Sequence, residues 1–186
     1  MTFEELGLDV ADRLERSGIQ HMLTGALAVN YHGTPRMTHD IGIVVVIAPS
    51  DIARIRAAFE PEFAVAEESI RAALREGSMF NAIHEETGLK VDFWMLKGGD
   101  YDRTAFARRK RYPYGDRLMT IATPEDTIIS KIEWHRMSDI DKHYFDARGI
   151  AAVQKGQLDT DYIVRWCAAK SLSDLWDRIQ REVSVT

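Results

Sequence analysis

Apolar residues at Phe3, Leu6, Val10 and Leu14 recur every three or four positions. That period lines one face of a helix over Phe3–Arg16, which Ser17-Gly18 ends. Ile19–Leu23 is short and apolar. Gly25 then opens a helical segment, Ala26–Tyr31, that begins with strong helix formers. His32-Gly33-Thr34-Pro35 reads as a turn. His39–Ile47 is the clearest strand, rich in β-branched residues and far too short to span a bilayer. Pro49-Ser50-Asp51 marks a helix start, with Ser50 offering the cap for Ile52–Phe59. A helix over Ser69–Arg75 closes at Gly77. Met79–His84 and Leu89–Leu96 form a hairpin across Glu85-Glu86-Thr87-Gly88. In its second strand Leu89, Val91, Phe93 and Met95 alternate with Lys90, Asp92 and Trp94, so Asp92 faces away from the Val91/Phe93 set. Tyr101–Ala107 is helical, and Arg117–Ala122 is a last strand.

The texture changes at Thr123-Pro124-Glu125-Asp126, a helix start with proline in the first turn and acids suited to the helix dipole. The helix that follows carries Ile128, Ile129, Ile132 and Trp134 on its apolar side. Further helices cover Tyr144–Val153, Asp161–Ala169 and Ser173–Val183. The pattern predicts an α/β (α+β) core over residues 1–122, and a C-terminal helical region over 123–186 packed on it.

Composition narrows the class. The chain has 186 residues, 45% hydrophobic and 28% charged, as expected of a globular protein. No apolar run reaches the ~20 residues of a membrane helix, and the acidic, amphipathic start is unlike a signal peptide. A single cysteine, Cys167, forms no internal disulfide or cysteine metal cluster. These features give a cytoplasmic location and no membrane partner as expectations. A net charge of −5 excludes a protein that coats nucleic acid through overall charge. The basic stretch Arg108, Arg109, Lys110 and Arg111, with Tyr112 and Tyr114 beside it, is either a site for RNA phosphates or a charged strand edge that blocks unwanted pairing.

Two acids stand out. Asp40 opens the clearest strand and Asp92 sits in another. Carboxylates from neighbouring strands are the ligands that hard cations such as Mg²⁺ take. An Asp-x-Asp strand puts both acids on one face. Here the strand reads Asp40-Ile41-Gly42, with only the first acid. Taken alone, each acid favours the plainer reading, Asp40 as a strand-end capping or turn acid and Asp92 as an exposed strand residue. The histidines fit no zinc spacing: His21, His32 and His39 lie around the turn, while His135 and His143 fall in separate helices. Asp126, Glu133 and Asp139 read as solvated helix faces, and Trp94, Trp134, Trp166 and Trp176 as packing anchors. Ser17 and Ser130 carry no nucleophile signature.

The run Leu23-Thr24-Gly25-Ala26-Leu27-Ala28-Val29, followed by His32-Gly33-Thr34-Pro35-Arg36-Met37-Thr38-His39-Asp40-Ile41, resembles the nucleotidyltransferase-fold family of AbiEii-type toxins and minimal nucleotidyltransferases. That family shares a polymerase-β-like core, a mixed β-sheet flanked by helices. Its motif is Gly-Gly or Gly-Ser, then Asp-x-Asp, then a third acid on a later strand. The likeness extends to Thr123-Pro124-Glu125-Asp126 leading to Lys131, and to the helix holding Asp146. The resemblance implies nucleotide binding at Gly25, Ala26, Arg36 and Lys131, with metal bound by Asp40 and Asp92. Asp40, Asp92 and Lys131 are then the catalytic residues, Mg²⁺ or Mn²⁺ the cofactor, and Asp146 a late acid that stabilises the helical region. Ala26 stands where the family often has a serine or glycine.

Gly42 is the departure that matters, because it occupies the position of the second metal-binding acid. Glycine inside a Val/Ile-rich strand also weakens the strand. The resemblance implies transfer of a nucleoside monophosphate from an NTP to a hydroxyl of an RNA, such as tRNA, or of a protein. It implies a toxin–antitoxin component with an antitoxin protein as partner, impaired by Gly42. A small-molecule acceptor is a further possibility. The alternative is a non-catalytic nucleotide- or partner-binding module of the same fold.

Overall fold

The computed structural model describes residues 2–38 and 40–185. Helix α1 (Phe3–Arg16) opens with a capping box: Glu5 N–H donates to Thr2 Oγ1 (3.1 Å) and Thr2 N–H donates to Glu5 Oε2 (2.7 Å). Strand β1 (Gln20–Thr24), helix α2 (Gly25–His32) and strand β2 (Asp40–Val46) follow. Helix α3 (Ile52–Phe59) comes next, then β3 (Phe63–Ala64), α4 (Glu67–Glu76), β4 (Met79–His84) and β5 (Lys90–Met95). Helix α5 (Asp100–Arg108) leads into β6 (Lys110–Tyr114) and β7 (Arg117–Ile121). Helices α6 (Pro124–Ser138), α7 (Asp141–Val153), α8 (Thr160–Ala169) and α9 (Ser173–Val185) complete the chain.

Most of these elements match the apolar periodicity to within a few residues. Ser50 caps nothing. Instead Ala48 N–H donates to Asp51 Oδ2 (2.8 Å), and a 3₁₀ turn over Pro49–Asp51 leads into α3. Strands β3 and β6 were not expected as elements, since one has two residues and the other contains Pro113. His39, placed in the clearest strand by its sequence, lies outside the described residues.

The chain divides into two compact units. One comprises Met1–Leu27 and Met37–Ile121, the other Ala28–Arg36 and Ala122–Thr186. The short segment Ala28–Arg36 thus joins the helical unit, which sequence alone assigned wholly to residues 123–186.

In the first unit a seven-stranded mixed sheet runs β3-β4-β5-β2-β1-β7-β6. The central pair, β2 and β5, is parallel, with Asp40 opposite Lys90, Gly42 opposite Asp92 and Val44 opposite Trp94. On one face of this pair Ile41, Ile43, Val91 and Phe93 are all buried. Phe93 stacks on Phe80 at 4.8 Å between centroids and meets Phe59 edge-on at 5.4 Å. Burial of such side chains is worth about 1.5–3 kcal/mol each, which makes the register hard to shift. Strand β6 is a sheet edge, where proline is tolerated and charge discourages pairing with another chain.

The second unit is helical. Thr123 caps α6 by accepting from Asp126 N–H (3.2 Å). Asp126 is no solvated face: it is buried and accepts from Tyr162 Oη (2.6 Å) and Thr123 Oγ1 (2.7 Å). Glu133 pairs with Lys170 at 2.7 Å, and Asp139 ends α6 in the left-handed region. Trp134 departs from the packing expectation, being 41% exposed, whereas Trp176 is buried. A Cβ on Gly33 would lie 2.8 Å from Ile150 Cγ1 and 3.0 Å from Ile150 N, so the loop after α2 can approach α7 only as glycine.

Asp146 on α7 organises this unit. Arg36 grips it with two bonds, Nε to Oδ1 at 2.7 Å and Nη2 to Oδ2 at 2.8 Å, and Lys131 Nζ lies 2.8 Å from Oδ2. The Asp146 and Lys131 side chains are only 4% and 7% exposed. Asn30 fixes Arg36 in turn, accepting its N–H (3.0 Å) and donating to its carbonyl (3.1 Å). Burial pushes the Asp146 carboxyl up, but the bonds from Arg36 and Lys131 together outweigh it and hold it below the usual carboxylate value. Lys131 shares Asp146 with Arg36, and burial draws its ammonium below the ordinary lysine value.

Asp146→Asn leaves two cations facing a neutral amide, and is expected to cost on the order of 3 kcal/mol in chemical denaturation. A loss below about 0.5 kcal/mol, the range of an ordinary surface substitution, would show that the cluster does not hold the unit. Acidification gives a second expectation. Burial, helped by Lys131 and Lys142, pushes His143 from 6.5 down to about 4, and His21 and His32 are lowered by burial as well. Between those two values the unfolded chain binds more protons than the folded one, so stability falls as pH drops through that window. Asp146 adds its own loss only below 3.8, as pH falls through its depressed value. Unfolding midpoints taken from pH 7 to pH 4 should fall less steeply in His143→Gln; identical slopes would remove His143 as a source.

Candidate functional site

The first unit assembles the candidate site. Gly25, at φ 63°, turns the chain from β1 into α2, in a left-handed conformation that other residues reach only with strain. Its neighbour Ala26 is buried, so it can offer a ligand only its backbone amide. The turn lies against Gly42: a Cβ on Gly25 would sit 3.8 Å from Gly42 Cα. Period-two alternation and the parallel register then put Asp40, Gly42, Lys90 and Asp92 on one face of β2 and β5, opposite the buried aliphatic face.

Asp40 and Asp92 therefore do come together. What the sequence reading missed is the group between them. Lys90 Nζ lies 3.3 Å from Asp92 Oδ1 and 3.6 Å from Asp40 Oδ1. The approach to Asp92 is an ion pair and not an aligned hydrogen bond. Oδ1 of Asp92 is buried, and no donor points along it. The signal was present in Lys90-Val91-Asp92, because a strand puts residues two apart on the same side.

Burial, opposed by Lys90 and reinforced by Asp40, holds the Asp92 carboxyl above the usual carboxylate value. Burial also draws Lys90 down, but Asp92 and then Asp40 outweigh it and keep its ammonium above the ordinary lysine value.

Gly42 has no conformational reason to be glycine, since its φ is not positive. A Cβ there would meet Thr24 Cγ2 at 3.5 Å and Gly25 Cα at 3.8 Å, ordinary contact distances. A side chain fits.

The donor chemistry suits one divalent cation. Two hard carboxylates converge on a single point, and one oxygen is buried without an aligned donor. Mg²⁺ is commonly held by one or two carboxylates, with phosphate and water completing its shell. No set of three or more acids, histidines or cysteines able to hold a metal occurs among the described residues. His21 and His32 are buried against the carbonyls of Ile19 and Ala122, at 3.0 and 2.8 Å.

The remaining predicted residues fall elsewhere. Arg36, Lys131 and Asp146 form the buried cluster of the second unit, where the two cations exceed the acid by one charge. In the basic stretch, Arg109 folds back over the Phe106 ring at 4.0 Å and donates to its carbonyl at 2.6 Å. Arg111 pairs with Glu15 at 3.4 Å, and Lys110 is exposed on the edge strand.

No family model matches the sequence, and no curated protein matches it. Solved structures do. The lincosamide antibiotic adenylyltransferase LnuA, bound to lincomycin, is 16% identical, with a TM-score of 0.55 over 82% of this chain and 98% of its own. ANT(2″)-Ia in complex with adenylyl-2″-tobramycin is 13% identical, with a TM-score of 0.55 over 96% and 97%. An antigenic nucleotidyltransferase-like protein from Paracoccidioides brasiliensis is 14% identical, again at 0.55, over 97% and 94%. At these identities the likeness is one of fold. The mixed seven-stranded sheet flanked by helices is that of the nucleotidyltransferases.

Proposed function

We propose that this protein binds a nucleoside triphosphate with one divalent cation, Mg²⁺ or Mn²⁺, at Asp40 and Asp92 beside the Gly25 turn. Its parent chemistry is transfer of a nucleoside monophosphate to a hydroxyl. The observation that carries this reading is the convergence of the two carboxylates on the face where Gly42 leaves room for a third. Backbone amides at the start of α2 suit the phosphates, because a helix N-terminus favours anions. When bound, the cation would neutralise triphosphate charge at the reacting phosphorus.

In the reaction the acceptor oxygen bonds to the α-phosphorus, the bond from that phosphorus to the bridging oxygen breaks, and pyrophosphate leaves. Asp92, half-buried on the face that carries Asp40, would help to hold the cation against the reacting phosphate. With glycine at 42 the site lacks the acid that would complete the cation's shell. Activity is therefore impaired, by the several kcal/mol that removing a key charge-stabilising group typically costs.

The acceptor is a hydroxyl of an RNA such as tRNA, or of a protein, within a toxin–antitoxin pair. The engagement of Arg109 and Arg111 within the fold leaves Lys110 as the more available cation of the basic stretch for an RNA phosphate. A second reading, a small hydroxylated acceptor, is favoured by the structural neighbours bound to lincomycin and to adenylyl-2″-tobramycin. The alternative in which the chain binds nucleotide or a partner without catalysis rests on Gly42 and Ala26.

The test runs this chain beside Gly42→Asp, offering each labelled NTP with Mg²⁺ to total RNA, to the protein itself and to lincomycin and tobramycin. Because a Cβ at position 42 would meet its neighbours at ordinary distances, Gly42→Asp should still fold with a cooperative melting transition. Transfer by Gly42→Asp at least about a hundredfold above the parent chain is expected. Robust transfer by the parent chain would overturn the impairment. Nucleotide binding without transfer by either would favour the non-catalytic module.

A further inference from the structure

Lys90 has a consequence for how this site takes a cation. Its ammonium sits within 3.6 Å of both of the carboxylates that would hold a metal ion. The three side chains share one face because Asp40 faces Lys90 directly in the parallel register, and Asp92 follows Lys90 by two residues. In an arrangement with an acid at 42, three carboxylates and one lysine would leave a surplus of two negative charges. With glycine there, two carboxylates and one lysine leave a surplus of one.

We propose that Lys90 is a built-in counter-ion that competes with the divalent cation for Asp40 and Asp92. It holds the two carboxylates together when the site is free of metal and must swing away when metal binds. Its side chain is 39% exposed and Asp40 61%, so solvent is open to the departing ammonium, while Asp92 at 14% stays in place. Lys90 therefore sets the cation affinity, and in the absence of an acid at 42 it keeps that affinity low. The inference rests on the nucleotide-and-cation reading of the site, and deepens it by assigning the residue that regulates metal entry.

The electrostatic sign fixes the expected result. An ammonium within 4 Å of a cation site repels the cation, and even with surface screening removing it should tighten binding by about tenfold. Free Mn²⁺ can be followed by its electron paramagnetic resonance signal, which bound Mn²⁺ loses, so no turnover is needed. The parent chain, Lys90→Met, Gly42→Asp, the double variant and Asp92→Asn are titrated with Mn²⁺, and each is melted with and without it.

The parent chain should bind Mn²⁺ weakly, Lys90→Met about tenfold more tightly, and the double variant most tightly of all. Without metal, Lys90→Met should melt below the parent, since two carboxylates then face each other, and Mn²⁺ should recover the difference. If Lys90→Met binds Mn²⁺ no more tightly than the parent while Asp92→Asn abolishes binding, Lys90 is not the competitor, and the cation site itself stands. If Asp92→Asn leaves Mn²⁺ binding intact, or Gly42→Asp and the double variant bind none, the cation site fails, and the inference about Lys90 with it. Should Lys90→Met fail to fold, Lys90→Gln, which keeps the stem and a polar tip, is read by the same criteria.

Discussion

The site depends on the pairing of β2 with β5. Both strands must bury Ile41, Ile43, Val91 and Phe93 on one side, and the Phe59, Phe80 and Phe93 rings lock that side. Because a strand alternates with period two, this burial dictates that Asp40, Gly42, Lys90 and Asp92 emerge together on the other side. A slip of β5 by one residue would bury Lys90 and Asp92 and expose Val91 and Phe93. The hydrophobic core is thus what positions the chemistry, and no side chain of the site has to contribute to that choice.

Given that framework, the balance of charge on the polar face becomes the variable. Lys90 compensates the two acids in part, while burial of Asp92 raises the cost of its charge. Gly42, on the same face, adds no charge, although a Cβ there would meet its neighbours at ordinary contact distances. Glycine there answers no demand of backbone conformation or space. The strand bears the conformational cost of glycine with no packing return.

The helical unit solves a different problem with the same kinds of groups. Asp146 is deeply buried, and an unpaired carboxylate there would be very unfavourable. Two bonds from Arg36 and one contact from Lys131 compensate it, and Asn30 fixes Arg36 from the other side. The loop after α2, which contains Gly33, is drawn in against Ile150 as part of the same arrangement. These residues anchor the segment Ala28–Arg36 among helices distant from it in sequence.

Periodicity was enough to place nearly every helix, the hairpin and the central strand, because each must present an apolar stripe at 3.6 or 2 residues. It also put Asp92 on the polar face. It could not give β3 or β6, which are too short or too polar to show a period and exist through pairing with β4 and β7. Nor could it show that Asp126 is buried beneath Tyr162, that Arg109 turns back on Phe106, or that Arg36, Lys131 and Asp146 close one cluster. Those are meetings between residues far apart in the chain, or choices of rotamer, that no local pattern encodes. The parallel register that brings Lys90 and Asp92 beside Asp40 belongs to the same class: the sequence determined which face each residue occupies, and only the tertiary structure decided which faces meet.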